Sequence, residues 1–240
     1  MNVSQAIDVV LQAQGASGGK PLAIILAGHN GSGKSTFWYR RLADTFQVPL
    51  VNADRMMLSI LPEQSPLPEW ALKLRDQNAS WMSVAQKGVE AFVARAMASR
   101  VAFAMETVFS HWVEKPDGTF ESKVDNIKRL QAEGYFTLLL FVGLGDVELS
   151  LMRVAERFAR GGHNVPEATL RKRFPRTQRA IGAALDVVDA AVLVDNSRAE
   201  SEAFTVSRVE LNKQKVYDLR DTGAPRLIRA WLDVIRPDNG

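Results

Sequence analysis

Cysteine is absent from the chain. That excludes disulfide staples, thiolate metal sites and a cysteine nucleophile, and it is compatible with the cytoplasm, the expected address. No apolar run reaches the roughly 18 residues that a membrane-crossing helix needs, so no membrane partner is expected. The opening stretch MNVSQAIDVVLQAQGASGGK lacks the basic start and long apolar core of a secretory signal. Internal repeats and low-complexity linkers are also missing. Charge of one sign is scarce: the net charge is +3, which gives no reason to expect a nucleic-acid partner. What is present, 46% hydrophobic and 24% charged residues over 240 positions, suits one compact domain spanning 1–240.

Short apolar runs alternate with helical patterns. Strands are expected at 22–28, 49–54, 101–110, 135–144 and 190–197. Helices are expected at 35–46, 69–100 (Trp70, Leu74, Trp81, Val84, Ala85 and Phe92 fall near helical spacing), 121–134, 146–160, from Pro166 to about Val188 with a bend at Pro175, and 224–235. KPDGTF (115–120) reads as a turn. This alternation implies an α/β fold with a parallel sheet covered by helices on both faces. A terminal strand pair, FTVSRVELN and QKVYDLR, lies in a C-terminal extension at about 200–240 and can lengthen one edge of the sheet.

The stretch AGHNGSGKST (27–36) is the most informative. Gly28, four residues and then Gly33-Lys34-Ser35 match the phosphate-loop pattern, with a strand before and a helix after. Gly28, Gly31 and Gly33 let the backbone turn tightly, so that the N–H groups of 28–36 (Gly28, His29, Asn30, Gly31, Ser32, Gly33, Lys34, Ser35, Thr36) approach an anion. The following helix aims its positive end at the same place. Lys34 is expected to bridge the β- and γ-phosphates of ATP (or GTP), and the Ser35 hydroxyl to hold Mg²⁺. Neither an LSGGQ-like segment nor an Asn-Lys-x-Asp base reader is present (NKQK at 212–215 lacks the acid). Transporter-type ATPases and GTP switches are thereby disfavoured, and small-molecule kinases come first.

Chemistry in open parallel sheets collects beyond the carboxyl ends of the strands. Asp54 closes VNAD and Glu106 closes VAFAME. Asp54 suits a base that takes the acceptor hydroxyl's proton; it suits a helix N-cap equally well. Glu106 can orient the metal's water shell or the acceptor, and an acid directly after an apolar run needs such a reason. Thr107 and Ser110 are candidates for the acceptor pocket or ordinary loop hydroxyls. Over 153–179 eight basic residues face only Glu156 and Glu167, a local +6. Two helices split by RGGHNVPE, with Gly161-Gly162 as a hinge, have the form of a lid that brings Arg157, Arg160, Arg171 and Arg173 over phosphate. A solvated helical face is the plainer use of the same charges. His163 is expected to order that loop.

The pieces AGHNGSGKST, VNAD, ETVFS, GLGDVELSLMRVAERFARGGHNVPEATLRKRF and VDNS, in this order over residues 22–197, resemble the zeta-toxin family of P-loop kinases. The Arg-rich run with GGHNVPE is the most specific of them. The resemblance implies a nucleotide-kinase-like fold with an Arg-rich helical lid (about 153–179), and phosphorylation of a nucleotide-sugar hydroxyl, as in UDP-N-acetylglucosamine. It also implies a separate antitoxin chain. By the same resemblance Lys34 and Ser35 take nucleotide and metal, Asp54 activates the acceptor, Glu106 is the strand-end glutamate beside the metal, and Arg157 with Arg171 or Arg173 are lid arginines. Arg160 joins the acceptor-binding set. The sequence departs from the family pattern at His29, where many relatives have proline, and at Val108, where a hydroxyl is expected. Other acceptors, an antibiotic or a dinucleotide, stay open, as does a nucleotide-dependent module that binds RNA or protein without transferring phosphate.

Overall fold

The computed structural model describes residues 1–64, 66–160, 162 and 165–237. The first part of the chain forms α1 (Val3–Gly15), β1 (Leu22–Gly28), α2 (Lys34–Phe37), a π-helical turn (Trp38–Leu42), α3 (Ala43–Phe46), β2 (Leu50–Val51), α4 (Ala53–Leu58), α5 (Glu69–Gln77) and α6 (Ala79–Ala98). The middle forms β3 (Phe103–Thr107), a hairpin of β4 (Trp112–Glu114) and β5 (Phe120–Ser122), α7 (Val124–Ala132), β6 (Phe136–Gly143) and α8 (Val147–Ala159). The last part forms α9 (Glu167–Leu185), β7 (Ala190–Asp195), β8 (Thr205–Leu211), β9 (Gln214–Asp218) and α10 (Arg226–Ile235).

The main sheet has seven strands in the order β2-β3-β1-β6-β7-β8-β9. The first five run parallel, and β8 and β9 are antiparallel additions. β1 therefore sits mid-sheet, and the chain crosses over it between β3 and β6. That crossover opens a crevice at the carboxyl ends of β1, β3 and β6. β1 and β6 are buried along their whole length, as strands covered on both faces must be. Ala23, Ile25 and Ala27 join one core with residues of α6, α7, α9 and α10, while Leu22, Ile24 and Leu26 join another with Ala6, Ile7, Val10, Phe37, Trp38 and Leu42. The period of two along a strand divides them in this way.

The expected helix over 69–100 is two helices. Asn78 separates them, and its side chain accepts from Trp81 N to cap α6, a local bond that competes with continuing the first helix. Of the residues at helical spacing, Ala85 is buried, whereas Trp70, Trp81, Val84 and Phe92 are exposed. Three further features add to the sequence reading. Helix α1 opens on a reciprocal Asn2–Gln5 capping box, the 34–46 run contains a π turn, and the turn at 115–120 connects the β4–β5 hairpin. Helix α9 continues through Pro175.

The C-terminal extension belongs to the main body. β8 and β9 lengthen the sheet, and Ile228, Trp231, Leu232 and Ile235 of α10 enter the core. Arg208, Glu210, Asp218 and Arg220, all buried, form a charged cluster there, extended by Asp233, Arg236 and Asp186. Among the described residues no helix is long and apolar enough to cross a membrane.

Candidate active site

The loop after β1 is shaped by what surrounds it. A Cβ at Gly28 would stand 2.5 Å from the Val142 carbonyl of β6, so nothing larger than glycine fits. Gly33 has φ +88° and a Cβ there would stand 2.8 Å from Asn196 Nδ2, so both backbone and space call for glycine. Two side chains hold the loop from outside: Ser150 Oγ donates to the Asn30 carbonyl (2.7 Å) and Asn196 Nδ2 to the Ser32 carbonyl (2.9 Å). Inside it, Lys34 Nζ donates to the carbonyls of Gly28 (3.1 Å) and His29 (2.9 Å). Burial lowers the Lys34 pKa; Glu106 and Asp54 pull it back up, and Arg157 depresses it further. The buried Ser32 hydroxyl has no hydrogen-bond partner among the described residues.

His29 is buried within the loop. Its ring stacks on Phe174 of α9 (centroids 3.8 Å apart, planes 13° apart) and meets Phe141 edge-on at 5.5 Å. Neither ring nitrogen has a hydrogen-bond partner of good geometry among the described residues. Burial, reinforced by the Lys34 charge, pushes its pKa down to about 3, with the Phe174 backbone opposing.

Asn52, and not Asp54, caps α4: its Oδ1 accepts from Arg55 N at 2.7 Å. Asp54 lies in the first turn, free of capping duty, and lines the cavity with Gly31, Gly33, Thr36 and Arg157. Glu106, at the end of β3, accepts from the Ser35 hydroxyl (3.2 and 3.0 Å) and from Asn52 Nδ2 (3.0 Å). A hydroxyl and a carboxylate held side by side at the loop's helix are oxygen donors of the kind a hard divalent cation takes. Among the described residues no group of three or more His, Asp or Glu could hold a metal by itself, so phosphate and water oxygens would have to complete the shell. The donor set fits magnesium on those terms.

Two cavities open here, of about 820 and 960 Å³, sharing Gly31, Asp54, Met82 and Arg157 as common walls. The first adds Arg75, Arg153, Arg160 and Asn196. The second runs away from the loop past Glu106, Thr107 and Ser110 to Lys123, Arg129, Lys172, Arg173 and Arg176. Lys123 donates to Thr107 Oγ1, and burial with the nearby Arg173 lowers its pKa, against a smaller pull from Glu90. Arg157, Arg160 and Arg173 are thus brought to the cavities. Arg171 is not: it pairs with Glu148 (2.5 Å) and Glu167 (2.7 Å), tying the starts of α8 and α9 together on the surface. Gly162 N donates to the Arg157 carbonyl at 2.9 Å, continuing the turn that ends α8; Gly161 and His163, expected as hinge and loop organiser, lie outside the described residues.

Sequence reasoning missed Asn52, Arg75, Lys123 and Ser150. Asn52 had a visible signal, an N-cap residue two positions before the acid. Lys123, distant in sequence and flanked by ordinary residues, had none.

The family model for zeta toxins matches residues 7–220. A curated relative, an uncharacterized protein of Haemophilus influenzae (strain ATCC 51907 / DSM 11121 / KW20 / Rd), is 28% identical over 152 residues, covering 63% of this chain and 91% of its own. Among solved structures, one from the PezAT chromosomal toxin–antitoxin system of Streptococcus pneumoniae is similar with a TM-score of 0.53 at 14% identity, over 100% of this chain and 90% of that one. The complex of AvrRxo1-ORF1 with AvrRxo1-ORF2 containing sulphate ions gives 0.62 at 14% identity, over 99% and 71%; its counterpart with ATP gives 0.59 at the same identity and coverage. At such identities the likeness concerns the fold, a mostly parallel, kinase-like sheet flanked by helices. With the family model matched across most of its length, the chain belongs to the zeta toxin family.

Proposed function

We propose that the protein is a kinase that transfers the γ-phosphoryl group of ATP (or GTP) to a hydroxyl of a nucleotide sugar such as UDP-N-acetylglucosamine, and that it acts in the cytoplasm as the toxin of a pair with a separate antitoxin. One observation carries the reading: Asp54, the phosphate loop and Arg157 line a shared space that continues into a second cavity. The nucleotide belongs on the loop, where phosphate oxygens would take Lys34 from the Gly28 and His29 carbonyls. The acceptor belongs in the second cavity. Asp54 as carboxylate removes the acceptor hydroxyl's proton, the oxygen attacks the γ-phosphorus, and the bond to the β,γ-bridging oxygen breaks to release the nucleoside diphosphate. Lys34, Arg157 and Arg160 stabilise the negative charge on the moving group. Ser35 and Glu106 would hold a magnesium ion, which when bound neutralises phosphate charge.

The nature of the acceptor is favoured by charge. Lys123, Arg129, Lys172, Arg173 and Arg176 line the far part of the second cavity, where Glu90 is the acid that acts on Lys123. Five cations against one acid leave a positive excess, which favours an anion joining them. A diphosphate-linked sugar supplies one, and an uncharged acceptor does not. The AvrRxo1 complex with ATP and the PezAT toxin–antitoxin system, as structural neighbours, agree with a nucleotide and an antitoxin for this chain.

The test is incubation with γ-labelled ATP and, separately, N-acetylglucosamine, its 1-phosphate and UDP-N-acetylglucosamine, with products identified by mass spectrometry. Phosphorylation that rises along this series, and is lost in Asp54→Ala while ATP still binds, supports the reading. Labelling of none of them, nor of any compound in a bacterial metabolite extract, would overturn it.

A further inference from the structure

His29 is a buried titratable residue for which the transfer chemistry has no use. Its ring carries no hydrogen bond of good geometry with a described residue, yet it sits at the meeting point of the nucleotide loop and α9. The His29 carbonyl accepts from Lys34 Nζ (2.9 Å) and from Ser32 N (3.2 Å), so the residue's backbone fixes the loop's principal cation. One face of its ring lies against Phe174, stacked at 3.8 Å. Phe174 directly follows Arg173, which faces the second cavity, and Arg176 comes two positions later on the same wall. One turn further on, Thr177 Oγ1 donates to the Val108 carbonyl at 3.2 Å, tying α9 to the loop after β3. Phe141 also meets the His29 ring, edge-on at 5.5 Å, and in turn meets Trp231 of α10 edge-on at 5.7 Å; Trp231 Nε1 donates to Asp195 at the end of β7 (3.0 Å).

We propose that His29 is a positioning residue: stacked beneath Phe174, its ring pins the first half of α9 to the phosphate loop and so sets Arg173 and Arg176 at a fixed place relative to Lys34. Helix α9 is then a static wall of the site. The part of the arginine-rich region left to adjust around nucleotide is the end of α8 with Arg157 and Arg160. The aromatic stack supplies area and orientation, and the tie at Thr177 prevents the helix from rotating about a single contact. The proposal is geometric; only its kinetic readout rests on the kinase reading.

The experiment compares wild type with His29→Ala, His29→Phe and Phe174→Leu by hydrogen exchange of the α9 amides and by steady-state kinetics. Exchange over residues 170–176 is expected to rise at least about tenfold in His29→Ala and Phe174→Leu, and to return most of the way in His29→Phe, which keeps an aromatic face. With UDP-N-acetylglucosamine as acceptor, kcat falls at least about tenfold in His29→Ala while the dissociation constant for a non-hydrolysable ATP analogue stays within about threefold. If His29→Ala does not fold, Phe174→Leu carries the same expectations. Unchanged exchange in α9, or a His29→Phe protein as impaired as His29→Ala, would overturn the assignment. The exchange measurement needs no acceptor, so a wrong acceptor and a wrong role for His29 give different results.

Discussion

Acid should weaken this protein through one imidazole, and the size of the effect can be worked out. His29 has a folded-state pKa of about 3 against an ordinary value of 6.5. Below about pH 6.5 the unfolded chain takes up a proton at this position while the native state does not. Stability is therefore lost as pH falls, at up to about 1.4 kcal/mol per pH unit, until the folded pKa is reached. Between about pH 7 and pH 4.5 the loss integrates to about 2.5 kcal/mol, a large part of a typical domain's stability. Asp117, Glu148 and Asp218, whose folded pKa values are depressed, also give up stability in acid. Their contribution is common to wild type and His29→Phe and cancels in the difference. The assay is urea unfolding of both proteins at about pH 7, 5.5 and 4.5. The gap between them should move by about 2.5 kcal/mol in favour of the variant across that range. A gap constant to within about 0.5 kcal/mol would mean that the ring is protonated, or reached by water, in the native protein.

Other expectations concern the site and its support. Asp54→Asn should lower transfer by about 10²–10⁴-fold, the usual worth of a general base, with nucleotide affinity nearly unchanged by calorimetry; wild-type turnover would remove Asp54 from its role. Lys34→Ala should remove both transfer and any growth inhibition on expression in a bacterial host, and an equally harmful variant would place the harm elsewhere. Arg157→Gln should depress the transfer rate far more than Arg171→Gln, because only Arg157 lines the cavities; equal losses would bring Arg171 back into the site. Asp218→Asn leaves Arg208 and Arg220 buried without their shared carboxylate, and should cost about 3–5 kcal/mol in urea unfolding. A loss under about 1 kcal/mol would show that the cluster is reached by water.

Most of the sheet was legible because a buried parallel strand writes itself as an unbroken apolar run, as LAIILAG and the 135–144 run do. The phosphate loop was legible because its glycines answer to steric contacts a few residues away. The capping alternative at Asp54 was removed by a neighbour two residues before it: Asn52 takes the cap, and the acid lines the cavity. Charge counting could not separate Arg171 from Arg157. On a helix they differ by which way each points and by which acids stand near, and Glu148 reaches Arg171 only after α8 and α9 have packed. Lys123 was invisible for a related reason. It reaches the second cavity because the β4–β5 hairpin and the start of α7 deliver it there, a placement with no local pattern. Helical spacing placed Trp70, Trp81, Val84 and Phe92 in helices, but it could not say that they stay exposed, because a stripe does not say what covers it.

The joint between Trp231 and Asp195 ties the support of the phosphate loop to the last helix of the chain. Asp195 precedes Asn196, whose amide holds the Ser32 carbonyl, and it is anchored by an indole from α10. A ribosome that has translated as far as β9 has already produced every residue expected to touch nucleotide, but the brace behind the cradle is still unmade. The anchor behind Asn196 is thus the last part of the cradle's support to be made, completed only when α10 packs onto the core.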